Sequence, residues 1–201
     1  MHSSLHTVSH APYICRRNFM KLTGLMEKQD QELRRHALRV SELATSLALI
    51  VSPSDFDLLA YVAVGSLLHD VGKTKVSTQI LGKPGKLDSE EMERMKRHVI
   101  IGEKLLRPLI KDAEVLCIVK SHHERWDGSG YPSGIAGTDI SLGTRIVSVA
   151  DAYDAMTTDR SYHKAVCPED ALKFIGDTAG KLWDPEIVAA LNCLRYYSDT
   201  I

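Results

Sequence analysis

Apolar residues recur along this chain at intervals of three and four. The run from Met26 to Ile50 shows it most fully: Leu33, Ala37, Val40, Leu43, Ala44 and Leu47 fall on one stripe, which predicts a long amphipathic helix. Ser52-Pro53-Ser54-Asp55 then supplies an N-cap, a proline for the first helical position and a capping acid. The segment from Phe56 to about His69 is apolar nearly all round, as expected of a central helix, and Gly72 is placed to end it. Asp88 with Glu91 caps a helix predicted to run to about Leu106, and another covers roughly Asp112 to His123. The glycine-rich stretch WDGSGYPSGIAGTD predicts a long loop, of a length that is usually functional. Leu142 to Met156 is the next helix, and Pro168 and Asp184-Pro185 open two shorter ones. Only Val76 to Leu81 offers a weak strand pattern. The expectation is a single all-α domain.

Composition narrows the function classes. The 201 residues are 44% hydrophobic and 25% charged with a formal charge of -1, an ordinary globular mixture with no overall basic field for duplex nucleic acid or an acidic membrane. Phosphate recognition would have to be local. No apolar run approaches the roughly 20 residues of a membrane span, so no membrane insertion is expected, and the N-terminus lacks the pattern of a secretory signal. Cys15, Cys117, Cys167 and Cys193 are scattered, without a CxxC pair, which suggests reduced thiols and a cytoplasmic location. His2, His6 and His10 recur at helical spacing, but serines and a proline interrupt them, and a polar tail is the simpler reading.

The chemistry lies in the other histidines. His36, the pair His69-Asp70, His98, the pair His122-His123, and Asp151 each fall on or near the end of a different predicted helix. Imidazole and carboxylate without thiolate suit iron, manganese or zinc, and donors projecting from several helices can build a two-metal centre. Each piece alone is weak. Asp70, however, follows the apolar GSLL at the end of a buried helix, where an unpaired carboxylate is costly and a metal removes the cost. Asp151 lies in the apolar run RIVSVADAYDAM and needs a partner too. Adjacent side chains on a helix diverge by about 100°, so His122 and His123 are expected to serve different metals.

The combined motifs resemble the HD-GYP family: HDVGK at 69–73, ILGKPGKLDSEE at 80–91, HHERWDGSGYP at 122–132 and RIVSVADAYDAMTTDRSY at 145–162. The likeness covers about residues 24 to 195, and the long HHERWDGSGYP string is its most specific part. It implies residues 1–23 as a tail or short helix and 24–201 as an HD-superfamily helical domain with a polynuclear metal centre in the helix core. By the resemblance, His36, His69, Asp70, His98, His122, His123 and Asp151 match the family's metal-ligand positions, and Asp70 the carboxylate that bridges two metals. Glu32, four residues before His36 on the same helix face, matches an acid that completes a third site in some members; an ordinary exposed Glu–His pair is the alternative. The implied cofactors are two or three divalent ions, iron or manganese.

The resemblance further implies a cyclic di-GMP phosphodiesterase that uses a metal-bridging hydroxide to hydrolyse the 3'-5' phosphodiester to pGpG, and on to GMP if a third metal takes the terminal phosphate. Lys73 and Asp70 are the catalytic candidates. Lys73, Tyr131 of the Gly-Tyr-Pro loop and Arg160 are the substrate-binding candidates. His163 stands where family members often carry Lys or Arg, which weakens the phosphate clamp. Two alternatives stay open: a cyclic-dinucleotide sensor with little turnover, and a phosphodiesterase for a different cyclic dinucleotide. A homodimer is a compatible partner; only about 25 residues precede the first long helix, too few for a receiver fold, so either a separate sensory or diguanylate cyclase protein regulates the domain or the chain is a fragment.

Overall fold

The structure, a computed structural model, describes residues 16–159 and 164–198. His2, His6, His10, Cys15, Arg160 and His163 lie outside the described residues. The described residues form ten α-helices: α1 (Arg16–Glu27), α2 (Gln31–Val51), α3 (Phe56–Leu68), α4 (Thr78–Leu81), α5 (Ser89–Lys96), α6 (His98–Leu106), α7 (Ala113–Ser121), α8 (Leu142–Thr157), α9 (Pro168–Asp177) and α10 (Pro185–Ser198). A 3-10 turn, Val71–Lys75, follows α3. The described residues contain no strand, so the all-α expectation holds. The weak strand candidate around Val76 to Leu81 is instead the short α4, whose start Ser77 caps by accepting from the Gln79 N–H.

Caps decide most of the boundaries. α2 begins at Gln31, later than the apolar stripe suggests, because the Asp30 carboxylate accepts the Leu33 N–H at 2.7 Å and opens a new helix there. Met26 and Glu27, at the start of the predicted stripe, belong to α1. Asp55, not Ser52, caps α3, accepting from the Leu58 N–H at 2.9 Å, and Pro53 sits in the preceding turn. The expected capping box at Asp88 and Glu91 is present with both of its bonds. The helix it opens ends at Lys96, however. Arg97 interrupts it, and His98 becomes the first residue of α6.

Two apolar clusters hold the helices. One joins α2, α3, α7, α8, α9 and α10 around Val40, Leu47, Val62, Ile118, Ile146, Ile187 and Leu191. The other joins α1, the end of α3, α6 and α7 around Leu22, Leu68, Val71, Leu106, Val115 and Val119. Helices α3 and α7 contribute to both, and their C-terminal ends carry His69 and His122 where the clusters meet.

Gly72 has a different role from the one its sequence position suggested. It lies inside the 3-10 turn rather than at a helix stop. A Cβ there would fall 1.9 Å from the His98 carbonyl oxygen and 2.7 Å from the Gly102 nitrogen. The missing side chain lets the turn after Asp70 lie directly against the start of α6.

Candidate metal centre

Five helices bring seven side chains to one point. His36 comes from α2, His69 and Asp70 from the end of α3, His98 from the first turn of α6, His122 and His123 from the end of α7, and Asp151 from the middle of α8. His69 and His98 are fully buried, and Asp70 and His122 are each 1% exposed.

One local rule sets three of the imidazoles. His69 Nδ1 donates to the Ser66 carbonyl at 2.6 Å, His98 Nδ1 to the Met95 carbonyl at 2.7 Å, and His122 Nδ1 to the Val119 carbonyl at 3.1 Å. Each acceptor lies three residues back. In the last turn of a helix such carbonyls lack an intrahelical donor. A carbonyl can only accept, so Nδ1 carries the proton and Nε2 presents its lone pair to the centre. His36 stands within a helix and has no orphan carbonyl to use. Its Nδ1 donates instead to the Asp154 carboxylate, 2.6 Å away. Arg39 holds Asp154 in turn, with Nε 2.5 Å from one oxygen and a terminal nitrogen 3.1 Å from the other.

Asp70 lies at the middle of the array. Its Oδ1 is 3.3 Å from His98 Nε2 and 3.9 Å from His122 Nε2. Its Oδ2 is 3.3 Å from His69 Nε2, 3.8 Å from His36 Nε2 and 2.6 Å from Lys73 Nζ. Asp151 Oδ1 is 3.1 Å from His36 Nε2 and 3.9 Å from His69 Nε2. Three donor triads result: His36, His69 and Asp151; His98, His122 and His123; and, joining them, His69, Asp70 and His122. Two donors bound to one ion at about 2.0–2.2 Å are roughly 2.8–3.6 Å apart; the Asp70 and Asp151 distances to the imidazoles, 3.1–3.9 Å, are close to that range, and the donors of each triad lie within 4.8 Å of one another.

Electrostatics favour the same conclusion. Burial lowers the affinity of His98, His122 and His123 for protons, His123 to about 3, so these rings are neutral bases. Burial pushes the Asp70 carboxyl up, but Lys73, His69 and His98 outweigh it and hold the group well below its usual range. Asp151 is likewise held ionised, mainly by His36 against its burial. Burial lowers His36 too, yet Asp151, Asp154 and Asp70 together raise it to about 9. Among the described residues, His69 Nε2 and Asp70 Oδ1 are buried without a hydrogen bond. Neutral imidazoles, ionised carboxylates and orphaned buried donors are what a divalent cation requires, and the residues fit one.

All seven expected core ligands therefore meet. His122 and His123 share a triad rather than diverging, because α7 ends at Ser121 and neither lies within it. Glu32 is exposed and belongs to none of the three triads, although it lines the adjoining cavity with His36 and Lys73. Tyr131 lays its ring against His123, with centroids 4.9 Å apart, and Lys96 sits 5.6 Å over its face. Two backbone features shape its loop. A Cβ on Gly130 would fall 2.4 Å from the Arg125 nitrogen, and the buried Glu124 carboxylate accepts the N–H groups of Ser133 and Gly134 at 2.7 and 3.1 Å. Asp154 and Arg39 are the functional residues that the sequence argument missed. The signal available was a second acid three residues after Asp151.

The chain belongs to the HD domain family, whose model matches residues 22–187. The HD-GYP likeness of its motifs is consistent with its relatives. It is 38% identical over 173 residues to a Thermotoga maritima protein named cyclic di-GMP phosphodiesterase, covering 84% of this chain and 46% of that one. It is also 38% identical over 157 residues to 3'3'-cGAMP-specific phosphodiesterase 3 of Vibrio cholerae, covering 78% of this chain and 34% of the relative. The chain thus spans less than half the length of these curated relatives. In fold it resembles Bd1817, described as a HDG"Y"P protein from Bdellovibrio bacteriovorus, with a TM-score of 0.68 and 24% identity over 82% of this chain and 52% of that one.

Proposed function

We propose that this chain is a metal-dependent phosphodiesterase that opens cyclic di-GMP. The observation that carries the reading is the position of Asp70, with Oδ2 toward His36 and His69 and Oδ1 toward His98 and His122. Two divalent ions would be held by His36, His69, Asp70 and Asp151 on one side and by Asp70, His98, His122 and His123 on the other. Glu32, beside the cavity, is the candidate donor to a third. The nitrogen and oxygen donors, joined by no thiolate in these triads, favour iron or manganese. Bound there, such ions supply Lewis acidity at a phosphoryl oxygen and acidify water.

The chain's own residues do the rest. Lys73 Nζ lies beside Asp70 and lines the cavity, where its charge opposes the negative charge that grows on the phosphoryl oxygens. The same ammonium can hand a proton to the departing ribose 3' oxygen, leaving the phosphate on the 5' side and linear pGpG as product. Arg160 and His163 follow α8 in sequence and are assigned to a substrate phosphate, and Tyr131 to the substrate side of His123. No helix among the described residues is long and apolar enough to cross a membrane, and the cytoplasm is the proposed compartment. A homodimer and a separate sensory or diguanylate cyclase protein are its proposed partners.

A related reading is favoured by one observation. The Vibrio cholerae relative named for 3'3'-cGAMP is as similar to this chain as the one named for cyclic di-GMP, so a mixed cyclic dinucleotide is the competing substrate. Chromatography of products from iron- or manganese-loaded chain, offered each cyclic dinucleotide separately, tests both. The proposal expects pGpG to appear fastest. Faster cleavage of cGAMP would move the substrate assignment, and survival of every cyclic dinucleotide with both metals would overturn the enzyme reading.

A further inference from the structure

A cavity of about 650 Å³ adjoins the centre, far larger than a phosphodiester group alone needs and within the range of sites for whole small ligands. It meets the centre at His36 and Lys73 and then runs along the segment that carries α4 and α5. That far wall is apolar: Ile80, Leu81, Leu87, Met92 and Met95 line it. Met92 is 41% exposed. A methionine left open beside a polar centre is poorly placed for a core residue and well placed to meet a flat ring.

The wall is also held in shape. Glu91 Oε2 accepts both the Asp88 N–H at 2.9 Å and the Lys83 ammonium at 2.5 Å. One carboxylate thereby closes the loop 82–88, which presents Leu87 and Lys86 to the cavity. Met95 ties this wall to the centre, because its carbonyl is the acceptor that orients His98. Cations are spread along the cavity, with Lys73 at the centre and Lys83 and Lys86 on the far wall. A cyclic dinucleotide has two phosphates and two purines. With one phosphate at Lys73 and the other assigned to Arg160, a base still needs an apolar face.

We propose that the α4–α5 wall is the recognition subsite of the cyclic dinucleotide, with one purine seated on Leu87, Met92 and Met95. The proposal rests on the cyclic-dinucleotide reading given above and adds where the substrate's distal half lies. Closure of the loop by Glu91 holds Leu87 and Lys86 at the cavity, which limits the ordering cost of binding.

The test uses the full chain loaded with zinc, a diamagnetic ion suited to the same donors, with 13C-labelled methionine methyls followed by NMR. The ligand is a phosphorothioate analogue of cyclic di-GMP that resists hydrolysis, and inorganic phosphate is the second arm. The expected result is an upfield ring-current shift of the Met92 and Met95 methyls with the analogue, no such shift with phosphate, and no movement of Met156. In parallel, Leu87→Ala with Met92→Ala should weaken binding of the analogue at least tenfold, about 1.4 kcal/mol. Met92 and Met95 methyls that stay in place at saturation, or that move equally with phosphate, would overturn the subsite. If these methyls shift but cyclic di-GMP is never cleaved by iron- or manganese-loaded chain, the subsite stands and only the hydrolytic reading falls.

Discussion

His36 and Asp154 meet at 2.6 Å across the interface between α2 and α8, the Nδ1 proton directed at a carboxylate oxygen that Arg39 also holds. This pairing makes His36 equivalent to the other three oriented histidines. Those three sit where a helix turn leaves a carbonyl free, and the backbone fixes them at no further cost in residues. A histidine in mid-helix must recruit its acceptor from elsewhere in the chain, and here α8 supplies both that acceptor and the candidate ligand Asp151.

Asp154→Asn should therefore loosen one half of the centre and spare the other. Partners of this kind contribute about 10–100-fold to metal affinity. Titration of metal-free chain with manganese, followed by the EPR signal of the free ion, should show one class of ion weakened by about that factor and the other unchanged. Asp154→Glu, which keeps the charge and the acceptor, should restore part of the loss. Unchanged affinity in Asp154→Asn would show that His36 does not depend on the pair.

Gly72→Ala should destabilise the chain by roughly 2–4 kcal/mol, since the new Cβ meets backbone rather than a movable side chain. Urea unfolding measures this directly. A loss under about 0.5 kcal/mol would mean that the turn and α6 can separate freely.

The metal-free chain should have a stability maximum near pH 6.5. His36, raised to about 9 when folded, contributes fully below its unfolded value of about 6.5, and its contribution disappears as pH rises through 9. It is worth on the order of 3 kcal/mol at most. His98, His122 and His123 have lowered values. As pH falls below about 6.5 the unfolded chain takes up protons that they refuse, so stability falls on the acid side as well. Because a bound cation replaces the His36 proton, the rise in Tm on adding manganese should grow from pH 6.5 to 9. Melting curves with and without metal check the sign. A metal-induced rise that does not vary with pH would contradict the assignment of His36 as a ligand.

Lys73→Ala should lower kcat by about 10²-fold or more while the chain keeps its metals. Steady-state kinetics and elemental analysis of the same preparation separate the two effects. Loss of metal together with activity would make Lys73 a support for Asp70 instead of a participant in the reaction.

Much of this was legible because helices advertise their ends. The box at Asp88 and Glu91 and the prolines at 168 and 185 all mark boundaries that the structure has. The side chains that meet at the centre were legible through their motifs, since His69, Asp70, His122 and His123 stand in strings too specific to arise by chance. The start of α2 was obscured because Asp30, its true cap, looks like any polar residue on a helix face. The break at Arg97 has neither glycine nor proline to announce it. Gly72 was misread because a stop and a close approach ask for the same residue, and only the neighbour, here the His98 carbonyl, tells them apart. Asp154 was missed for a similar reason: its partner, His36, lies 118 positions away in the chain.

The most direct measurement of the central claim is metal stoichiometry by elemental analysis, on chain purified without oxygen and equilibrated with saturating iron or manganese, in the native form and as Asp70→Ala. Two or more ions per native chain, falling sharply when the shared carboxylate is removed, is the expected result. One ion or none in the native chain, or a count that Asp70→Ala leaves untouched, would contradict it.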